Sequence, residues 1–200
     1  NIKLVMELHN GINTYHAKTR KEWRKWFEKN SQTEKSVWLI IYHKDSETKS
    51  VYYEEAVEEA ICFGWIDSIA HKRNKESKYQ FFAQRKPKSN WSKANRARAE
   101  KMLEQGQMTE SGQKLIDLAK KTGTWEALVD VQNSVIPDDL QKLLNKNKTA
   151  LKNFLAFPPS SKRIILEWIL NAKKDETRQK RIEETVRLAA DNIKANHYRQ

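Results

Sequence analysis

The spacing of apolar residues changes character twice along the chain. In "RKEWRKWFEKN", residues 20 to 30, Trp23, Trp26 and Phe27 fall at i, i+3 and i+4, the stripe of an amphipathic helix. "NTYHAK", residues 13 to 18, reads as a short strand before it. "SVWLIIYHK" after it is short and rich in β-branched and aromatic residues, as a buried central strand would be. Helical spacing then returns in "YEEAVEEAICFG". Here Ala56, Val57, Ala60 and Ile61 share one face, Glu54, Glu55, Glu58 and Glu59 are expected on the other, and Gly64 serves as a left-handed cap. "WIDSIAHKR" and "KYQFFAQRK" flank the polar turn "NKES", so an antiparallel hairpin is expected.

From Asn90 onward the pattern is helix after helix. "SKANRARAEKMLEQG" ends at Gly106, and "TESGQKLIDLAKKTG" runs from a Thr109 cap to Gly123. "PDDLQKLLNKN" places Pro137 in a first turn, with Asp138 and Asp139 suited to the helix dipole. "ALKNFLAF" stops at Pro158 and Pro159. "SSKRIILEWILNA" is capped by Ser160 or Ser161, and a last helix runs over roughly 176–196. The expected fold class is α+β: a small antiparallel sheet with one or two helices in the N-terminal half, then an all-helical C-terminal half. The expected division is an α+β subdomain over 1–89 and a helical subdomain over 90–200 packed against it.

Composition narrows the function classes. The 200 residues carry a net charge of +12 and a pI near 9.6, a surface that attracts polyanions within a Debye length of about 8–10 Å. The single Cys62 cannot form an internal disulfide or a multi-thiolate metal site, which suits a reducing compartment. The longest apolar run, "VWLIIY", is far short of the roughly 18 residues of a membrane helix. "NIKLVMELHN" lacks a signal-peptide pattern, so a cytoplasmic location is expected, with the caution that the chain begins at Asn1 rather than Met.

The densest candidate chemistry is "RKPKSNWSKAN", residues 85 to 95. Between Arg85 and Lys101 seven cations (Arg85, Lys86, Lys88, Lys93, Arg96, Arg98 and Lys101) face one acid, Glu100, where a strand ends and a helix begins. A helix start offers unpaired N–H groups and partial positive charge, so Arg85, Lys86, Lys88, Asn90, Trp91 and Ser92 form a candidate anion site. Pro87 stiffens the approach, Ser89, Asn90 or Ser92 is the cap, and Trp91 either stacks on a base or anchors the loop in the core. A plain structural connector with solvated charges is the competing account.

Trp65, Asp67, His71 and Lys72 are candidate polar cleft residues. In a regular strand Asp67 and His71 share a face about 13 Å apart, too far for an acid–base pair, and Asp67 is expected to pair across the hairpin with Arg85. His9, His16, His43, His71 and His197 show no metal-ligand spacing, and neither GxGxxG nor GxxxxGK[ST] occurs, so no metal or cofactor is expected. Cys62 reads as a small buried hydrophobe.

"YEEAVEEAICFGWIDSIAHKR", "RKPKSNWSKAN", "FPPSSKRIILEWI" and "KRIEETVRLAADN" together resemble the YdeI/OmpD-associated, or bacteriocin-protection, family, from about Arg20 to the C-terminus. The resemblance implies a link to bacteriocin or antimicrobial-peptide resistance, association with a porin and a periplasmic setting, and it carries no catalytic residues. The expectation is a non-enzymatic binding protein for an anionic small molecule or protein partner. The alternatives are a nucleic-acid-binding module, and an enzyme of unrecognised type with a cleft between the halves.

Overall fold

The computed structural model describes residues 7–198, and the chain divides into two compact units, 1–125 and 126–200. The first unit is built on a five-stranded sheet with spatial order β1-β2-β3-β5-β4. Its strands are β1 (Leu8–His9), β2 (Ile12–Tyr15), β3 (Ser36–Tyr42), β4 (Trp65–Lys72) and β5 (Ser77–Gln84). The hairpin forms as expected, with β4 antiparallel to β5 and β5 antiparallel to β3. The sheet is nevertheless mixed rather than antiparallel, because β2 runs parallel to β3 with Thr14 opposite Trp38. Helix α1 (Arg20–Asn30) lies in the connection that a parallel pair requires.

Helix α1 begins at Thr19, whose hydroxyl accepts from the Glu22 N–H at 3.2 Å. Its buried Trp23 and Phe27 meet Val37, Leu39 and Ile41 of β3, together with helix α2 (Tyr53–Cys62). Trp23 donates its indole N–H to Ala56 O at 3.1 Å, and Trp65 donates to Ser31 O at 3.1 Å. These two indole N–H groups thus find backbone acceptors while their rings fill the core.

Helices α3 (Lys93–Glu104) and α4 (Glu110–Thr122) also belong to this first unit, so the expected division at residue 90 falls inside it. Gly112 of α4 sits so close to the end of α2 that a Cβ there would stand 2.4 Å from Cys62 O and 2.7 Å from Ile61 O. Thr109 donates both its N–H and its hydroxyl to Cys62 O, at 3.1 and 2.6 Å, so the start of α4 satisfies a terminal carbonyl of α2. Gly64, at φ +76°, turns the chain from α2 into β4 as its position after the helix predicts.

The expectation for α2 itself fails in one respect. Glu58 and Glu59 are not on a solvent face, since each is 2% exposed. Arg20 reaches Glu58 at 2.7 Å and Glu59 at 2.6 Å, Arg24 reaches Glu59 at 2.7 Å, and Lys101 of α3 pairs with Glu58.

The second unit is helical, with its own core. It comprises α5 (Val129–Gln132), α6 (Asp138–Asn145), α7 (Lys148–Ala156), α8 (Pro159–Leu170) and α9 (Asp175–Ala190). Leu140, Leu144, Phe154, Ile165, Ile169 and Ile182 are fully buried in it. Pro159 opens α8 instead of merely ending α7, because a proline fits the first turn where no N–H partner is needed. No helix among the described residues is long and apolar enough to cross a membrane.

Replacing Gly112 with Ala forces the α2 and α4 backbones apart. A loss of about 2–3 kcal/mol is expected in urea unfolding, the upper range for overpacking, because two of the three obstructing atoms are backbone carbonyls that cannot turn aside as the Met108 sulfur can.

Candidate functional site

The residues from Arg85 to Ser92 link β5 to α3. Arg85 begins where β5 ends, with its N–H donated to Gly64 O at 2.9 Å. Its side chain turns inward: the guanidinium carbon lies 3.6 Å from the Trp91 ring centroid, and Nη2 donates to Asn90 O at 2.9 Å. Trp91 is buried, stands 4.9 Å from the Trp125 ring, and its N–H is tied to Thr124 O at 3.1 Å. The two open roles for Trp91 resolve in favour of the anchor, since Arg85 occupies the ring face a base would need. Ser92 is the helix cap, its hydroxyl accepting from Asn95 N–H at 3.2 Å.

Lys86, Pro87 and Lys88 are exposed on a turn closed by Ser89, which donates its N–H and hydroxyl to Lys86 O at 3.0 and 2.9 Å. The junction therefore has an exposed lysine rim and a buried guanidinium beneath it.

That guanidinium is the anomaly of the site. Arg85 is 5% exposed, yet Nε and Nη1 have no hydrogen-bond partner, and no carboxylate lies within ion-pair distance among the described residues. Burial pulls its pKa down to about 10, with the Asp67 carboxylate opposing the shift, so the group is still a cation at neutral pH. A buried cation with unmet donors is unfavourable by itself.

Asp67 does not make the expected ion pair with Arg85 across the hairpin. It stands opposite Phe82 in the register and accepts a 2.6 Å hydrogen bond from the Tyr53 hydroxyl. Burial together with this bond to a carboxylate pushes the Tyr53 hydroxyl up to about 12. Beside it Arg98 of α3 holds Glu54 through two bonds of 2.7 and 2.8 Å, which lowers the glutamate's pKa and raises the arginine's. Tyr53, Glu54 and Arg98 belong to this neighbourhood and carry no sequence motif that would single them out.

The other candidates separate. The sheet register shifts between Asp67 and Ala70, and beyond that irregularity His71 pairs with Tyr79. Phe82 and Tyr79 are three residues apart on β5, so Asp67 and His71 project to opposite faces instead of one. His71 Nδ1 is 2.9 Å from His9 Nε2, and both rings pack against Trp38. Lys72 is exposed, and Trp65 is a core residue. Among the described residues no group of three or more His, Cys, Asp or Glu side chains is arranged to hold a metal, and Cys62 is buried with its thiol pushed up to about 11 by desolvation.

Comparison with known families divides the chain in a similar way. Residues 15–115 match the family described as a domain of unknown function, DUF8412. Residues 133–192 match the family described as "Bacteriocin-protection, YdeI or OmpD-Associated". The first two resembling stretches, including "RKPKSNWSKAN", thus fall in the former match, and the latter covers the last two. Neither a curated protein nor a solved structure matches the chain significantly.

Because the folded-state pKa of Tyr53 lies above the ordinary tyrosine value of 10.0, its contribution to stability is present below that pH and is lost as pH rises towards about 12. Tyrosinate absorbance should show a late component to which Tyr15 and Tyr79, also raised, contribute, and Tyr53→Phe should reduce its amplitude by one tyrosine.

Proposed function

The chain belongs to the family described as DUF8412 and carries a bacteriocin-protection, YdeI or OmpD-associated domain, and from that premise we propose that it is a non-enzymatic binding protein. It engages an anionic ligand or protein partner at the junction between β5 and α3, in the cytoplasm, in the setting of resistance to bacteriocins or antimicrobial peptides that the family description names. Arg85 supplies the buried charge, Lys86 and Lys88 the exposed rim, and the start of α3 the favourable dipole.

One observation carries this reading: Arg85 is a buried cation whose Nε and Nη1 lack acceptors. Elsewhere in the same unit Arg20 and Arg24 are ion-paired, Arg20 with Glu58 and Glu59 and Arg24 with Glu59. An oxyanion brought in as the turn at Lys86–Asn90 opens would give the orphaned N–H groups the charge-assisted bonds they lack. The separation of Asp67 from His71 removes the one carboxylate–imidazole combination considered for catalysis.

The test is thermal unfolding with and without inorganic phosphate or sulfate. A ligand that binds the native state raises Tm with concentration. Arg85→Met should change the anion-free stability by no more than about 1 kcal/mol, because losing one hydrogen bond and the ring contact offsets removal of an unmet buried charge. The same variant should lose the anion response. Lys86→Ala with Lys88→Ala should weaken the response and leave anion-free Tm nearly unchanged. An Arg85→Met protein that still responds fully overturns the proposal. So does a large stability loss in the double lysine variant, which would make the turn structural.

A further inference from the structure

A second feature shares no residue with the Arg85 junction. The end of β3 and the chain after it (Ile41, Tyr42, His43 and Lys44) form one wall of an open groove of about 530 Å³. The first turn of α2, from Tyr52 to Glu55, forms the other wall, and Lys78 of β5 closes it. That volume is within the roughly 300–1,000 Å³ of small-ligand sites.

Two adjacent tyrosines stand in it, Tyr52 at 52% and Tyr53 at 36% exposure. Exposed aromatic rings at a concave surface leave apolar area in water that a flat ligand would cover. Tyr53 is not free to swing, because its hydroxyl is held by Asp67.

The charge in the groove is positive on balance. Glu54 is bound by Arg98, and Glu55, which accepts the Tyr52 N–H at 3.3 Å, sets one negative charge against those of Lys44 and Lys78. Lys44 and Lys78 have no carboxylate partner among the described residues; their ammonium groups lie 5.4 and 5.0 Å from the centroids of Tyr52 and Tyr53. Such contacts are worth only about 0.5–1 kcal/mol when exposed, so an anion of higher charge density would draw the lysines away and uncover the ring faces.

We propose that this groove binds a nucleoside phosphate unit, with the base stacked on Tyr52 and Tyr53 and the phosphate held by Lys44 and Lys78. Rings and cations in one groove match a ligand that carries a flat face and a phosphate together. A phosphorylated peptide would use the lysines and leave the rings unexplained. The unit is either a free nucleotide or one residue of a single strand, and the chain's charge of +12 favours approach of either.

The experiment is fluorescence anisotropy of labelled oligouridylate and oligothymidylate at several salt concentrations, with unlabelled UMP as competitor. Binding should weaken with salt by about 0.7 in log–log slope for each phosphate contacted, and Lys44→Ala with Lys78→Ala, which removes the one phosphate contact, should reduce the slope by about 0.7. Tyr52→Ala should weaken binding about tenfold and Tyr52→Phe should restore it, as stacking requires. Full displacement by UMP assigns the groove to a single nucleotide, and strand binding that UMP does not displace assigns it to a strand; both support the proposal. Absence of binding, or binding that Tyr52→Ala leaves as tight as before, overturns it. Arg85→Met acts on the phosphate response at the junction and Tyr52→Ala on strand binding in the groove, so failure of one proposal is distinguishable from failure of the other.

Discussion

Helix α2 is buried without interruption from Ala56 to Cys62, and this single constraint organises the first unit. Two neighbouring glutamates inside that stretch cannot remain charged and dry unless cations come to them. Arg20 and Arg24, one turn apart on α1, fix that helix on one side of α2. Lys101 on α3 fixes the other side. Once α3 is held by its last turn, its first turn must begin beside the end of β5. The chain then has only the residues from Arg85 to Ser92 in which to make the connection. The junction's shape is thus a consequence of where the buried carboxylates found their partners.

The same constraint explains what was legible in the sequence. The helix over 20–30, the buried β3, the hairpin and the caps at Thr109 and Gly123 depend on local periodicity and turn chemistry, and these appear where the residues predict them. Glu58 and Glu59 misled, because helical spacing alone places them opposite Ala56 and Ala60 and cannot reveal that a second layer of helix covers that face as well. The parallel pairing of β2 with β3 was equally hidden, since a short strand carries no mark of its direction. The irregularity after Asp67 has no glycine or proline to announce it, yet it decides that Asp67 and His71 never share a face.

For the candidate site, position was legible and orientation was not. A cation-rich run between a strand and a helix identified the junction correctly. Nothing in "RKPKSNWSKAN" distinguishes the arginine that turns under Trp91 from the lysines that remain in water. That difference follows from length and hydration. A guanidinium is weakly hydrated and can stack on an indole while using one edge for a backbone carbonyl, whereas an ammonium is strongly hydrated and resists removal from water. Tyr52 and Tyr53 were invisible for the opposite reason: Tyr53 only opens a helical pattern and Tyr52 precedes it, and only the placement of Lys44 and Lys78 shows that their rings border a groove.

The contrast among the arginines carries the argument furthest. Arg20, Arg24, Arg73, Arg98 and Arg178 all sit opposite carboxylates, and each is more exposed than Arg85. A chain with this many well-paired guanidinium groups has the means to satisfy them, yet Arg85 leaves two buried donors, Nε and Nη1, unmet at 5% exposure. Asp67 is near enough to be felt by Arg85, but its carboxylate is committed to the Tyr53 hydroxyl. Were Arg85 only a structural plug over Trp91, a methionine or leucine would fill the space without an unmet charge. Departures from local optimality of this kind are where function is expected to reside, and here the departure has a definite sign: a buried positive charge with two donors unmet.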